Sequence, residues 1–401
     1  MNTSTSPKVQ YGYSTLDSNN RSRLTSMTYP NGRVVGYNYA SGLDSSISRL
    51  SSITNSGATL ESYSYLGLGT VVVRGHAQTG VDLSYVKLSG ESVGDAGDQY
   101  TGLDRFGRIA DQRWRSGGTD VDRNTYTYDR DSNRLTKTNV LNSAMNEVYT
   151  YDGLNQVASF DRGSGTRTQG FDYDALGNRD GVTTNGSTQT YTANKQNEIT
   201  SISGATTPTY DANGNMTGDE TGKLFVYDAW NRMVAVKTSG GTVLKTYGYD
   251  SLNHRVSETV SGVTTDLYYS AGWQVLEERV GGVTRVSNVW SPVYVDAMIA
   301  RDRDTDTNGS LDERLYVTHD ANFNVTGLIN TSGAVVERYV YDSYGAQREL
   351  DGARRQRVRL GLPAPRGTGG RGQRAGALPQ PGLLGDAGEV DEYRPHSVRR
   401  W

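Results

Sequence analysis

Oxygen-bearing side chains at alternating positions form the sharpest chemical pattern in the chain. Counting from Asp304, the run Asp304-Thr-Asp306-Thr-Asn308-Gly309-Ser-Leu-Asp312 reads Asp-x-Asp-x-Asn-Gly-x-x-Asp. Oxygen ligands at every second residue, with a Gly for the sharp turn, suit a hard divalent cation and match the opening of a calcium loop. The twelfth position is Leu315 rather than a bidentate Glu, and no helical pattern flanks the run. The expectation is a structural Ca2+ site at 304–312, weaker than an EF-hand, set against a solvated acidic turn. No other cofactor is expected.

Other catalytic patterns dissolve on inspection. Gly90-Glu-Ser92-Val-Gly94 spells G-x-S-x-G, but Asp95-Ala-Gly-Asp98 follows where a nucleophile elbow needs a helix. The four His residues (His76, His254, His319 and His396) are scattered, and His254 and His319 read as surface positions. Carboxylates recur in turn after turn, so no pair stands out as a general acid and base. Neither a phosphate loop nor a dinucleotide fingerprint is found, and the chain is not expected to be an enzyme.

The elements that carry these residues are set by a repeat. A Tyr-Asp dipeptide returns at Tyr128-Asp129, Tyr151-Asp152, Tyr173-Asp174, Tyr210-Asp211, Tyr227-Asp228, Tyr249-Asp250 and Tyr341-Asp342, with gaps of 23, 22, 37, 17, 22 and 92 residues. Degenerate copies fill the long gaps, opening at Tyr191, Tyr269 and His319-Asp320. A period near 20 means one small unit stacked many times, because such a unit cannot bury a face alone. Before each Tyr lies an alternating run such as Val148-Tyr-Thr-Tyr151 or Leu224-Phe-Val-Tyr227, which argues a half-buried strand. After it comes Asp-x-x-Gly/Asn, whose side chains cap their own backbone and tolerate positive φ. Each unit is therefore predicted to be a β-hairpin, and the fold all-β, a spiralling sheet of antiparallel hairpins. The repeat Asp is expected to hydrogen-bond amides of its own turn, and the Tyr to stack on its equivalents as a cross-strand ladder.

These units resemble the YD repeats of the RHS family, shared by bacterial Rhs proteins, the C component of Tc toxins and teneurins. The resemblance is full from 125 to 350. It is worn from 1 to 124, where Tyr29-Pro-Asn-Gly-Arg33, Leu43-Asp-Ser-Ser-Ile-Ser-Arg-Leu50 and Tyr100-Thr-Gly-Leu-Asp-Arg-Phe-Gly-Arg108 stand as degenerate copies. It implies part of a β-shell that encloses and exports a C-terminal toxin, in a secreted or cell-surface bacterial setting, with a polypeptide cargo as partner. The closing module that such relatives carry is absent here, so the chain is expected to be an incomplete member. The alternative is a surface adhesion protein whose Trp230, Trp273 and Trp290 stack on glycans.

Composition bounds both readings. The chain has 401 residues, 34% hydrophobic, with 48 Gly, 27 Tyr, only 5 Phe and a net charge of −3. Tyr buries a ring while its hydroxyl finds a partner, which suits a sheet wetted on two faces. With no Cys, disulfides and thiolate metal sites are excluded. No apolar run reaches membrane-spanning length. The opening residues Met1–Ser14 lack the charged and apolar regions of a signal peptide. Export by another device, or membership in a longer polypeptide, is expected.

Residues 351–401 change character, with 10 Arg, 10 Gly, 5 of the 9 Pro and no Lys or Asn. Ten Arg against 5 acidic residues give this segment +5 and leave −8 for residues 1–350. Such a composition predicts a disordered tail. A phosphate-tracking tail, a residual toxin and a reading-frame shift are the alternatives. The shift is favoured, because Arg, Gly, Pro and Ala are the residues of GC-rich codons, and no specific nucleic-acid partner is expected. Bare strand edges of an incomplete shell are expected to permit self-association.

Overall fold

The computed structural model describes residues 6–15 and 22–351. The expected tail lies outside the described residues except at Asp351, and so does His396. The alternating runs form strands, as their β-branched and aromatic content dictates. Among the described residues, thirty strands assemble into two antiparallel sheets. The first holds sixteen, from Gln10–Tyr13 to Ile199–Ile202, and the second fourteen, from Thr209–Tyr210 to Gln347–Asp351. In both, every strand pairs with its neighbours in sequence, so the chain is one long meander. The worn repeats before residue 125 belong to the same sheet as the well-formed ones, and strand Thr119–Tyr128 runs across that boundary. Leu43–Leu50 departs from expectation: Leu43–Ser46 is a single helical turn rather than part of a hairpin.

The faces of the strands are sorted by the period of two. Outward-facing hydroxyls pair across strands, as in Thr127–Thr136 at 2.7 Å, Thr150–Ser159 at 2.6 Å and Thr259–Thr264 at 2.8 Å. Inward, an aromatic stands three residues before six of the seven repeat Asp residues: Tyr126, Phe171, Phe225 and Tyr339 are buried, and Tyr149 and Tyr247 half-buried.

The second sheet follows the first around. Tyr11 meets Ala271, Tyr29 meets Asn288, Tyr63 meets Ser291, Trp114 meets His319, and Arg162 meets Asp342. Both partners ascend in sequence while their separation falls from 260 to 180 residues. The path is thus a spiral whose second lap lies on its first. Where the laps overlap, an apolar core forms, with Val35, Ile53, Leu60 and Trp114 from the first sheet against Leu276, Ile299, Tyr316 and Leu328 from the second. Elsewhere the sheet is one layer thick: every residue of Arg255–Val260 is half-buried, and none of Val263–Tyr269 is buried. The two wetted faces inferred from the Tyr content belong to this stretch.

Candidate functional site

The repeat turn is the unit from which any site must be built. In Asp174-Ala-Leu-Gly-Asn178, the Asp Oδ1 accepts the amide N–H groups of Leu176 and Asn178, both at 2.8 Å, and Oδ2 accepts the Asn178 side-chain amide at 2.8 Å. Asp152, Asp211, Asp228 and Asp250 accept from the same two amides of their own turns, and Asp129 accepts from Asn133. The fourth residue takes positive φ, as Gly177 at 83° or Asn155 at 61°, which is why Gly and Asn recur there. A bulge directly before Tyr151, Tyr173, Tyr227 and Tyr249 completes the hairpin. Amides of Asn133, Asn178 and Asn215, together with the turn backbone, hold Asp129, Asp174 and Asp211 below the usual carboxylate range.

The repeat Tyr is tied backwards through its hydroxyl. Tyr128, Tyr151, Tyr173, Tyr249 and Tyr341 donate to the carbonyls of Ile109, Arg134, Val157, Met233 and Val325, at 2.7–2.9 Å. Arg134, Val157, Met233 and Val325 each open the strand that leaves the preceding turn, and Ile109 lies two residues before one. Tyr210 instead accepts from the Ile199 amide at 3.1 Å, across the seam between the sheets. A hydroxyl–carbonyl bond between units therefore occupies the place where ring-on-ring stacking was expected. Turns are also linked sideways: Asn133 to Asn155, Asn178 to Asn197, Asn215 to Asn231 and Arg232 to Asn253, at 2.8–3.3 Å. The turns so joined form a rim.

Two turns of the second lap are used differently. Asp320 and Asp342 are buried and reach into the first sheet. Lys137 donates to Asp320 at 3.1 Å, and Arg162 and Arg167 reach Asp342 at 3.2 and 2.6 Å. Asp320 thus organises its own turn and, like Asp342, clamps the laps. Between the laps lies a buried polar cluster. Glu61 receives Arg74 at 2.7 Å and His76 at 3.3 Å and is bonded by Tyr63, whose hydroxyl also meets Ser291 at 2.7 Å. Burial pushes Glu61 up, but Arg74, His76 and Tyr63 outweigh it and hold its carboxyl at about 2. His76 and His319, 0% and 1% exposed, are interior residues. This corrects the surface reading of His319: its partners lie some 200 residues away and carry no local sign. Within the cluster, Glu61, Arg74, His76 and His319 are all buried.

The remaining candidates divide. Asp304, Asp306 and Asp312 each bring a carboxylate oxygen within 4.8 Å of the others. Asn308 instead donates to Asp306 at 2.8 Å. Gly90–Gly94 lies in irregular backbone with neither strand nor helix flanking it, so no nucleophile elbow forms. His254 is bound by the Asp250 carboxylate at 2.8 Å and packs on Trp273 at 4.0 Å. Trp273 is half-buried and Trp290 buried, its indole nitrogen donating to Val275. Of the three Trp expected to face glycans, Trp230 is the exposed one.

Glu220 was not singled out by its sequence. It lies where the connection between the sheets passes, its backbone carbonyl accepting from Thr206. Both its carboxyl oxygens are buried without a hydrogen-bond partner. Burial pushes it up to about 7. A folded-state value above the unfolded one means that its contribution is fully present below pH ~4.5 and lost as pH rises through 7. Glu220→Gln is therefore expected to raise the melting temperature at pH 8 and to have little effect at pH 4.5, measured by thermal unfolding at both pH values.

The sequence pattern of a family described as the teneurin YD-shell matches residues 95–351. The chain is 30% identical over 202 residues to the tRNA3(Ser)-specific nuclease WapA of Bacillus spizizenii. It is 27% identical over 201 residues to the tRNA nuclease WapA of Bacillus subtilis. Each match takes in 49% of this chain and 8% of the relative, so the chain spans under a tenth of the curated relatives it matches. Among solved structures, the Photorhabdus luminescens Tc holotoxin pore is similar with a TM-score of 0.60 at 15% identity, over 81% of this chain and 17% of that one. The crystal structure of TcdB2–TccC3 gives 0.59 at 14%, over 81% and 18%. At such identities the likeness is one of fold.

Proposed function

The chain belongs to the teneurin YD-shell family, and from that premise we propose that it is a segment of a structural β-shell in a bacterial polymorphic-toxin or cell-surface system, acting on a polypeptide cargo without chemistry of its own. The observation that carries this reading is the unbroken sequential meander, in which the repeat Asp and Tyr are spent on turns and inter-unit bonds. A wetted single-layer sheet offers a chain polar contacts without a hydrophobic surface on which to collapse. The similarity to nucleases named WapA, over 8% of their length, supports a toxin setting. A secreted or surface location is proposed on the same ground. No helix among the described residues is long and apolar enough to cross a membrane. The test appends an unstructured trypsin-sensitive peptide to the full chain after Trp401. Cleavage at least tenfold slower than that of the free peptide supports enclosure, and equal rates overturn it.

We also propose that Ca2+ binds at Asp304, Asp306 and Asp312. Beyond the acidic cluster, the Asp304 side chain is 0% exposed and its Oδ1 lacks a hydrogen-bond partner, leaving a buried anionic oxygen for a cation to satisfy. Arg285 already neutralises the other oxygen, which argues for modest affinity. Millimolar Ca2+ is expected to raise the melting temperature by about 2–4 °C over chelator, and the gain should vanish in the Asp306→Asn, Asp312→Asn double variant. No shift with Ca2+ would remove the site.

A further inference from the structure

We propose that Lys137 and Asp320 condense into an intramolecular amide, an autocatalytic cross-link that closes the second lap covalently onto the first. Lys137 lies on strand Arg134–Asn139 of the first sheet, and Asp320 directly follows strand Glu313–His319 of the second. The winding brings them together across 183 residues, with Nζ 3.1 Å from Oδ2. Both side chains are buried, and so is Glu147, whose carboxylate stands 4.0 Å from the same Nζ. An amine, a carboxyl and a second carboxylate able to carry a proton between them are thus enclosed together. The other buried clamp between the laps differs at the decisive atom. Asp342 is met by Arg162 and Arg167, whose delocalised guanidinium groups stay protonated and do not attack.

The repeat turn prepares the acyl group. Asp320 Oδ1 accepts the backbone amides of Asn322 and Asn324 at 2.9 and 3.0 Å, the distances at which paired N–H groups stabilise an oxyanion. Oδ2, the oxygen that must leave, faces Lys137 and the Asn324 side-chain amide, each at 3.1 Å. The Tyr149 hydroxyl donates to Glu147 Oε2 at 2.7 Å and fixes it beside Nζ. Burial works against both charges, yet Lys137 and Arg134 hold Asp320 below the usual carboxylate range, and Glu147 and Asp320 hold Lys137 above the usual amine value. The reacting state is therefore the ion pair. Nζ gives one proton to Glu147 and attacks Cγ, and negative charge gathers on Oδ1 between the two amides. The Cγ–Oδ2 bond then breaks as Oδ2 takes that proton from Glu147 and a second from Nζ. Ammonium and carboxylate become a secondary amide and water, with no net proton released and nothing oxidised or reduced. A cavity of about 10 Å³, lined by Lys137 with Asp122, Asn124, Asn139 and Thr326, is polar and just large enough for the expelled water. Holding the reactants in contact replaces a bimolecular encounter, and the bond removes one buried charge of each sign, whose desolvation opposes the ion pair.

The test is intact-mass spectrometry of the denatured full chain. Wild type is expected to weigh about 18 Da less than its sequence, the mass of one water. Trypsin should release peptides 135–162 and 315–338 as one species, joined through an uncleaved Lys137. Lys137→Arg keeps a cation opposite Asp320 and should show the full sequence mass with an unchanged circular-dichroism spectrum. Glu147→Gln, prepared alongside and equally folded, should leave most molecules at full mass. Wild type at full mass, with the two peptides separate, overturns the inference and leaves an ion pair only. So does a water loss that persists in Lys137→Arg, which would place it in a succinimide at an Asp-Gly step such as Asp152-Gly153. A fully condensed Glu147→Gln chain would remove the proton carrier and with it the mechanism. The reaction is of the chain upon itself, so it stands or falls separately from the enclosure of a cargo.

Discussion

Replacing Trp114 by Ala is expected to cost about 3–5 kcal/mol and to release the second lap from the first. The indole is 0% exposed. It stands at the centre of the overlap, with the His76 ring at 5.3 Å, the His319 ring at 6.4 Å and the Arg74 guanidinium at 5.9 Å. Its nitrogen donates to the His319 carbonyl at 2.9 Å. Truncation removes a large apolar body, leaves a cavity between two rigid sheets and strands a buried carbonyl, and these penalties add. Trp114→Phe keeps most of the ring and should cost about half as much. Denaturant unfolding with limited proteolysis distinguishes the outcomes. Because stability in a repeat array is a sum of local terms, cleavage should first appear within 270–350. A loss below about 1 kcal/mol would show that the laps do not depend on this contact.

Acidification is expected to loosen the same interface. The His319 ring is 1% exposed and neither nitrogen has a hydrogen-bond partner. Burial, then Arg74 and His76, hold it well below its ordinary value, against the weaker pull of Glu61 and Asp320. Above pH ~6.5 the ring is neutral both folded and unfolded, and stability does not depend on it. As pH falls through 6.5 the unfolded chain takes a proton that the folded one refuses, and stability drops by up to about 1.4 kcal/mol per pH unit. Glu61 adds a second loss at lower pH, since its folded value of about 2 lies below the unfolded one and its contribution disappears as pH falls from 4.5 towards 2. Thermal unfolding between pH 7.5 and 5 should show the first decline in wild type and a flatter profile in His319→Gln. An unchanged slope in that variant would place the acid-sensitive group elsewhere.

The turns were legible because their chemistry is local. The Asp of Tyr173-Asp174 meets its amides at Leu176 and Asn178, so a five-residue window contains the whole interaction. The degenerate copy at His319-Asp320 keeps it with Asn322 and Asn324. The run at 304–312 is equally local: three of its carboxylates lie close together, and Asn308 donates to Asp306. Trp290, His76 and Glu220 were opaque, because what surrounds them is supplied by the winding of the sheet. Nothing near Asp129 or Asp342 says that the first serves only its turn while the second is clamped by Arg162 and Arg167.

By itself the amino-acid order determined the hairpins, their all-β class and the family, since these rest on contacts within one repeat or between neighbouring ones. Only the tertiary structure decided which repeats are buried, which charges face each other and which tips are left in water. The physical reason is that the lap is a sum of small strand twists accumulated over some 180 to 260 residues. No single residue encodes that sum, yet it brings Trp114 onto His319 and leaves Trp230 exposed.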